Sequence, residues 1–218
     1  MVWAVRGRSS AVFGPSIYRG DRSRRAVALT FDDGPSESTP AILDILDKHG
    51  VKATFFQCGA NVLRLPAVAR QLTLAGHEIG NHSHTHPSMY LKPAGFVLQE
   101  FGRAQNAIVE TTGARPAFLR APYGARWFGF AEAQRQLDLT GVMWTVLGRD
   151  WKRTGNEVAG NLLKKTVHGA ILCLHDGREL QRSPDVSATI EAVRRVVPEL
   201  QDRGYEFETV TQLICPKN

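Results

Sequence analysis

The chain has 218 residues and a formal net charge of +6, with 43% hydrophobic and 22% charged residues. Both fractions lie near the globular average, which excludes a disordered chain, and 20 Gly and 11 Pro without a triplet repeat exclude a collagen-like one. The longest apolar runs, 141–147 and 170–174, fall far short of the ~18–20 residues a membrane helix needs.

The charge is unevenly spread. Residues 1–25 hold six Arg against Asp21 alone, a balance of +5, so the other 193 residues carry only +1. The basicity therefore belongs to an N-terminal arm, residues 1–24, expected to be solvated or draped over a single domain at 25–218. No nucleic-acid-binding signature accompanies it, and no nucleic-acid partner is expected. Arg6 and Arg8 stand where an export signal has its apolar core, so cytoplasm is the literal expectation. A leader upstream would instead mean a secreted or wall-facing protein. Cys58, Cys173 and Cys215 are odd in number and far apart, which gives neither a disulfide framework nor a Cys-rich zinc module. Each is expected to be a small buried apolar residue.

In chain order, strand Ala26–Phe31 precedes helix Pro40–Lys48, which ends at His49-Gly50 before strand Ala53–Gln57. Helix Leu65–Leu74 ends at Ala75-Gly76 before strand Glu78–Gly80. Helix Phe96–Glu110 ends near Thr112-Gly113 before strand Ala117–Leu119. Helix Ala131–Leu137 leads to strand Val142–Thr145, and helix Asn156–Lys164 to strand Ala170–Leu174. Helix Ser187–Leu200 runs to Arg203-Gly204 and strand Glu206–Thr209. Gly just past a helix relieves the steric cost of a left-handed C-cap, and a short β-branched or aromatic run bounded by turns reads as a strand. The alternation is that of an α/β domain with a parallel sheet, closed as a barrel or open and doubly wound. Ligands in such folds bind at the carboxyl ends of the strands.

Unusual polar residues cluster at those ends. The first strand runs into Asp32-Asp33-Gly34-Pro35, where a nearby cation would be needed to keep both carboxylates ionised. The third runs into His82-Ser83-His84-Thr85-His86-Pro87. On a helical path His82 and His86 share a face, and on an extended one all three His do; either way two imidazoles meet one ion. With one carboxylate they make an open site suited to Zn²⁺ or another divalent metal. His84 is the weakest of the three. Arg120, followed by Ala121-Pro122-Tyr123-Gly124, can lock a carboxylate. Asp150 stands beside Trp151, and His175 leaves an apolar strand into a turn.

These segments, in this order, resemble the polysaccharide deacetylases, the NodB-homology domain of carbohydrate esterase family 4. The likeness covers roughly Arg25 to Leu213. The resemblance implies a distorted (β/α)7-8 barrel and a metal-dependent hydrolase removing N-acetyl groups from N-acetylglucosamine units of chitin oligomers or peptidoglycan. It assigns Asp33, His82 and His86 to one divalent ion, with Zn²⁺ first and Co²⁺ or another divalent ion as alternatives. Asp32 would be the base and His175 the acid, oriented by Arg120 and Asp150. The Tyr123 N–H would meet the oxyanion, and Trp151 and Leu174 would line an acetyl pocket. Alternatives are an O-acetyl xylan esterase, a small-amide hydrolase, or a catalytically silent sugar-binding module. Two departures stand out: Leu147 where relatives often carry Asp, and Cys173 where Leu is usual. Aromatic residues Tyr90, Trp127, Phe128 and Phe130 either stack sugar rings or cover the barrel rim.

Overall fold

The computed structural model describes residues 1–215. Its sheet is all parallel and runs β1-β6-β5-β4-β3-β2-β8-β7, with β9 also on β2. The strands are β1 (Ser16–Ile17), β2 (Ala26–Asp32), β3 (Thr54–Gln57), β4 (Glu78–Asn81) and β5 (Phe118–Leu119). They continue as β6 (Thr140–Val142), β7 (Val146–Leu147), β8 (Ala170–His175) and β9 (Glu206–Phe207). Helices α1 (Val2–Arg6), α2 (Thr39–Lys48), α3 (Gly59–Arg64), α4 (Pro66–Leu74) and α5 (Ala94–Thr112) alternate with them. So do α6 (Phe130–Leu137), α7 (Gly155–Lys165), α8 (Ser187–Asp202) and α9 (Val210–Ile214). The result is a distorted (β/α) barrel.

Period-two alternation sorts β2. Val27, Leu29 and Phe31 face outward, into the main core with Ile42, Leu43 and Leu46 of α2 and Val193, Val196 and Leu200 of α8. Ala26 and Ala28 face inward, meeting Ile171, Phe118 and Val142, and Val210 and Leu213 of α9 plug that end. Thr30 and Asp32, on the same inward face, continue toward the carboxyl ends. The barrel is thus apolar at its floor and polar at its mouth.

The structure corrects three expectations. Val142–Thr145 is not one strand: β6 ends at Val142 and β7 begins at Val146. The carbonyls of Val142 and Met143 accept from the Arg120 guanidinium at 3.3 and 3.2 Å, and Met143 N–H donates to Ile17 at 2.7 Å. Among the described residues β6 pairs only with β5 and β1, and β7 only with β8, so the sheet is open between them. Second, the N-terminal segment is draped rather than solvated, and part of it joins the sheet of the domain it was expected to lie outside. β1 extends the sheet on β6, Arg19 bridges Ala170 of β8, and Gly20 N–H donates to Gly169 at 2.8 Å. Residues 16–20 therefore stitch the gap between β6 and β8. Arg126, fully buried, holds the segment further by donating to the Gly7 and Ser10 carbonyls. Third, Cys58 and Cys173 are buried as expected, but Cys215 is exposed.

Helices α1, α3 and α9 are five or six residues long, too short for periodicity to show. No described helix is long and apolar enough to cross a membrane.

Candidate active site

β2 and β8 are in register with Asp32 beside His175. Both side chains face inward at the barrel mouth. Adjacent strand residues should point oppositely, yet Asp33 joins them because its φ is +73°, in the left-handed region. The chain can turn there because its neighbours leave room. A Cβ on Gly34 would lie 2.2 Å from the Asp176 carboxylate, and one on Gly177 would lie 2.5 Å from the Asp33 carbonyl. Burial pushes the Asp176 carboxyl up to about 7, and Asp33 and Asp32 add to this. Its Oδ2 accepts the Thr39 hydroxyl at 2.6 Å.

Asp33 Oδ1 faces His82 Nε2 at 3.3 Å and His86 Nε2 at 3.0 Å. All three residues are buried. Asp33 Oδ2 accepts from the Glu179 N–H at 2.9 Å, whereas Oδ1 accepts no hydrogen bond among the described residues. His82 Nδ1 donates to the Arg120 carbonyl at 2.8 Å, which leaves the Nε2 lone pair for the centre. A carboxylate oxygen and two imidazole nitrogens converge here without satisfying one another. That donor set fits a divalent ion.

The loop bearing these His is built by α5. Glu100 Oε2 accepts from the N–H groups of His84 at 3.1 Å and Thr85 at 2.7 Å. Asn81 Oδ1 accepts from Ser83 N–H, and Ser83 Oγ from His86 N–H. Ser83 and His86 have left-handed backbones, φ +67° and +56°. His84 points elsewhere, with Nδ1 against Gly59.

Asp32 is held differently. The Arg120 guanidinium donates to Asp32 Oδ1 at 2.6 Å and to Thr30 Oγ1 at 2.9 Å, and lies 4.0 Å over the Phe56 ring. The Cys173 thiol donates to Asp32 Oδ2 at 3.4 Å. His175 Nδ1 donates to Asp150 Oδ1 at 2.9 Å, so Nε2 is left for the cavity. Asp150 Oδ2 accepts the His175 N–H and the Thr189 hydroxyl. Burial disfavours the His175 imidazolium, but the bonded Asp150, with Asp33 and Asp32, outweighs it and pushes the group up to about 9. Burial raises Asp150, but His175, Thr189 and Arg178 hold it below the usual carboxylate range. Donor atoms of Asp32, Cys173 and His175 also lie within 4.8 Å of one another. There the carboxylate already has a cation, Arg120, and the imidazole an anion, Asp150. The other triad is the better ion site.

One cavity of about 640 Å³ is lined by Asp32, Asp33, His82, His86, Tyr123, Trp151 and His175. Arg120 and Asp150 sit behind its wall. Tyr123 is held with φ +57°; its hydroxyl donates to Glu179 at 2.6 Å, and its N–H is used by no hydrogen bond among the described residues. The Trp151 ring stands edge-on to His175 at 5.0 Å. Leu174 does not line the cavity. It follows Cys173 and precedes His175, so alternation turns it outward into the helix-side core. Cys173 and Leu147, paired across β8 and β7, line the cavity instead. The rim aromatics are not at this site either. Trp127 packs on Phe13, Phe128 and Tyr90 at 4.7–5.2 Å, and Phe130 is core. Sequence reasoning missed Glu100 and Glu179. Glu100 had a signal: it shares the apolar face of Val97, Phe101 and Ala104.

The family model for polysaccharide deacetylase matches residues 19–142, more than half of the chain. This chain belongs to the polysaccharide deacetylase family. It is 34% identical to the peptidoglycan-N-acetylglucosamine deacetylase PgdA of Listeria monocytogenes, over 95% of this chain but 42% of that protein. It therefore spans less than half of that relative's length. It is 36% identical to a chitooligosaccharide deacetylase of a Bradyrhizobium species, over 87% of this chain and 90% of that one. A solved structure of a CE4 family pseudoenzyme from Bacillus anthracis superposes with a TM-score of 0.83 at 30% identity, covering 91% of this chain and 68% of that one.

Proposed function

We propose that this polysaccharide deacetylase domain hydrolyses the N-acetyl amide of N-acetylglucosamine units in poly- or oligosaccharides, with one divalent ion, Zn²⁺ first, held by Asp33, His82 and His86. One observation carries the reading. Asp32 and His175 are cross-strand neighbours facing that triad across one cavity, and each has its own buried partner.

An ion bound by the triad supplies Lewis acidity toward the amide carbonyl and toward water. The chain's own groups do the rest. Arg120 occupies Asp32 Oδ1, so Oδ2 is the oxygen that takes the proton of the attacking water. Tyr123 lines the cavity, and its N–H would serve as a donor for the carbonyl oxygen as charge builds on it. His175, protonated below about pH 9, delivers a proton from Nε2 to the leaving amine. Water's hydroxyl ends on acetate and the amine departs neutral. A sugar-binding module needs neither Asp32 nor His175, and their full set of buried partners speaks for chemistry.

The test is a screen of acetylated oligosaccharides with Zn²⁺ or Co²⁺ added to the purified protein. Acetate release from N-acetylglucosamine oligomers supports the reading. Release from O-acetyl xylan alone, or binding without release, overturns it.

A further inference from the structure

A second cavity of about 480 Å³ opens beside the active site, and Trp144, Leu147 and Arg149 line both. Its remaining wall is Arg8, Thr145, Val146, Arg153, Asn161 and Lys165. That makes four cationic side chains and no carboxylate. Arg8 comes from the N-terminal segment and is pinned by donating to the Thr145 carbonyl. Arg149, Arg153 and Lys165 take part in no ion pair or hydrogen bond through their side chains among the described residues. Glu157, on the first turn of α7, feels the charge of Arg153 but spends its carboxylate on Thr154. Elsewhere on the surface, Arg24, Arg64, Arg135 and Arg203 pair with neighbouring Glu. The active-site cavity adds Arg6, Lys152 and Arg178 on its own rim.

Like charges gathered in one concavity repel one another and concentrate the field there. An anion relieves the repulsion and gains the focused potential. Guanidinium groups present paired N–H donors that suit carboxylate or phosphate oxygens. We propose that this cavity is a subsite for an acidic group, carboxylate or phosphate, carried by the glycan whose acetyl group lies in the adjoining active site. The substrate is then an acidic glycan rather than a neutral chitin oligomer. The proposal rests on the N-deacetylase reading only for the word substrate; the anion site stands on its own lining.

The test uses acetamide-free probes, which the enzyme cannot turn over, on the metal-loaded protein. Calorimetry compares a tetrameric oligogalacturonate, cellotetraose and inorganic phosphate. The acidic oligomer is expected to bind more tightly than the neutral one. The R153Q/K165Q double variant is expected to lose about tenfold in that affinity at low salt, the scale of two exposed charge contacts. R153E/K165E should lose more, and R194Q, at a residue that lines neither this cavity nor the active site, should match the wild type. The preference for the acidic oligomer should fade as salt shortens the screening length from ~30 to ~3 Å. Equal affinity for acidic and neutral oligomers overturns the proposal, as does an undiminished R153Q/K165Q. An equal loss in R194Q would mean general surface charge and overturns it too. Phosphate binding as tightly as the oligomer would mark a free-anion site and overturn the glycan assignment. Turnover of acetylated glycans is measured separately. Its absence alongside selective acidic-oligomer binding would sink the deacetylase reading and leave the anion site in place.

Discussion

The two halves of the cavity are built in different ways. The half proposed for acid–base chemistry stands on strands: Asp32 and His175 are aimed by the register of β2 and β8, and buried Arg120 and Asp150 lock them. The half proposed to hold the ion stands on loops: Asp33, Ser83 and His86 all have left-handed backbones, in a stretch held by the side chains of Asn61, Asn81 and Glu100. Strand-borne groups inherit their direction from the sheet. Loop-borne groups need side chains to hold the backbone that holds them. Damage to the loop half should therefore show first as lost metal, and damage to the strand half as lost turnover with metal retained.

The largest effect should come from His82→Ala. It is expected to abolish stoichiometric zinc binding, read by elemental analysis, and with it the Lewis acid that the chemistry needs. Unchanged metal content would break the division. Asp32→Asn is expected to bind as much added zinc as the wild type and lose roughly 10²–10⁴-fold in turnover. A variant at near-normal rate would mean that some other group activates the water.

His175 gives the comparison a pH axis. Its folded-state value of about 9 lies above the ordinary 6.5, so its contribution to stability is complete below about pH 6.5 and is lost as pH rises through about 9. In the metal-free protein, NMR titration of the ring should find that midpoint, and Asp150→Asn should move it down. A ring that titrates at the same pH without Asp150 would show that the pair is not coupled.

Glu100→Gln sharpens the loop side. Weakening the bonds to His84 and Thr85 should cost roughly 10–100-fold in metal affinity, as loss of a group supporting metal ligands does. Turnover at saturating zinc should recover. The smallest effect should be Cys173→Ala, which removes a weak S–H donor from Asp32 Oδ2 and should change turnover by less than about tenfold.

The strand half was the more legible in the sequence. Helices ending in Gly before short apolar runs located β3, β4, β5 and β9, short apolar runs alone located β2 and β8, and reactive residues past the ends of β2, β4, β5 and β8 marked the cavity. One error could have been avoided there. Counting back by two from His175 selects Cys173, not Leu174, as the inward residue. The loop half was legible only as donor types. Nothing local announced the left-handed turns at Ser83 and His86, because the groups that hold them, such as Glu100, lie in another element. The break between β6 and β7 was hidden for the same reason: its carbonyls are satisfied by Arg120 and by the N-terminal segment, both distant in sequence.

That segment has a consequence for the order of events during synthesis. It leaves the ribosome before its partners, because Ser16 and Ile17 dock on Gly141 and Val142, and Arg19 and Gly20 dock on Ala170 and Gly169. The stitch can therefore form only once Ala170, about 150 residues further on, has emerged. Contacts this distant in sequence are slow to find because a long loop must close first. Until then the edges of β6 and β8 lack the partner that covers them, and the nascent barrel is open to pairing with the wrong strand. Arg8 reaches its place through the same docking. The cationic pocket beside the active site is thus completed together with the barrel, so a chain with an unclosed barrel also lacks that pocket.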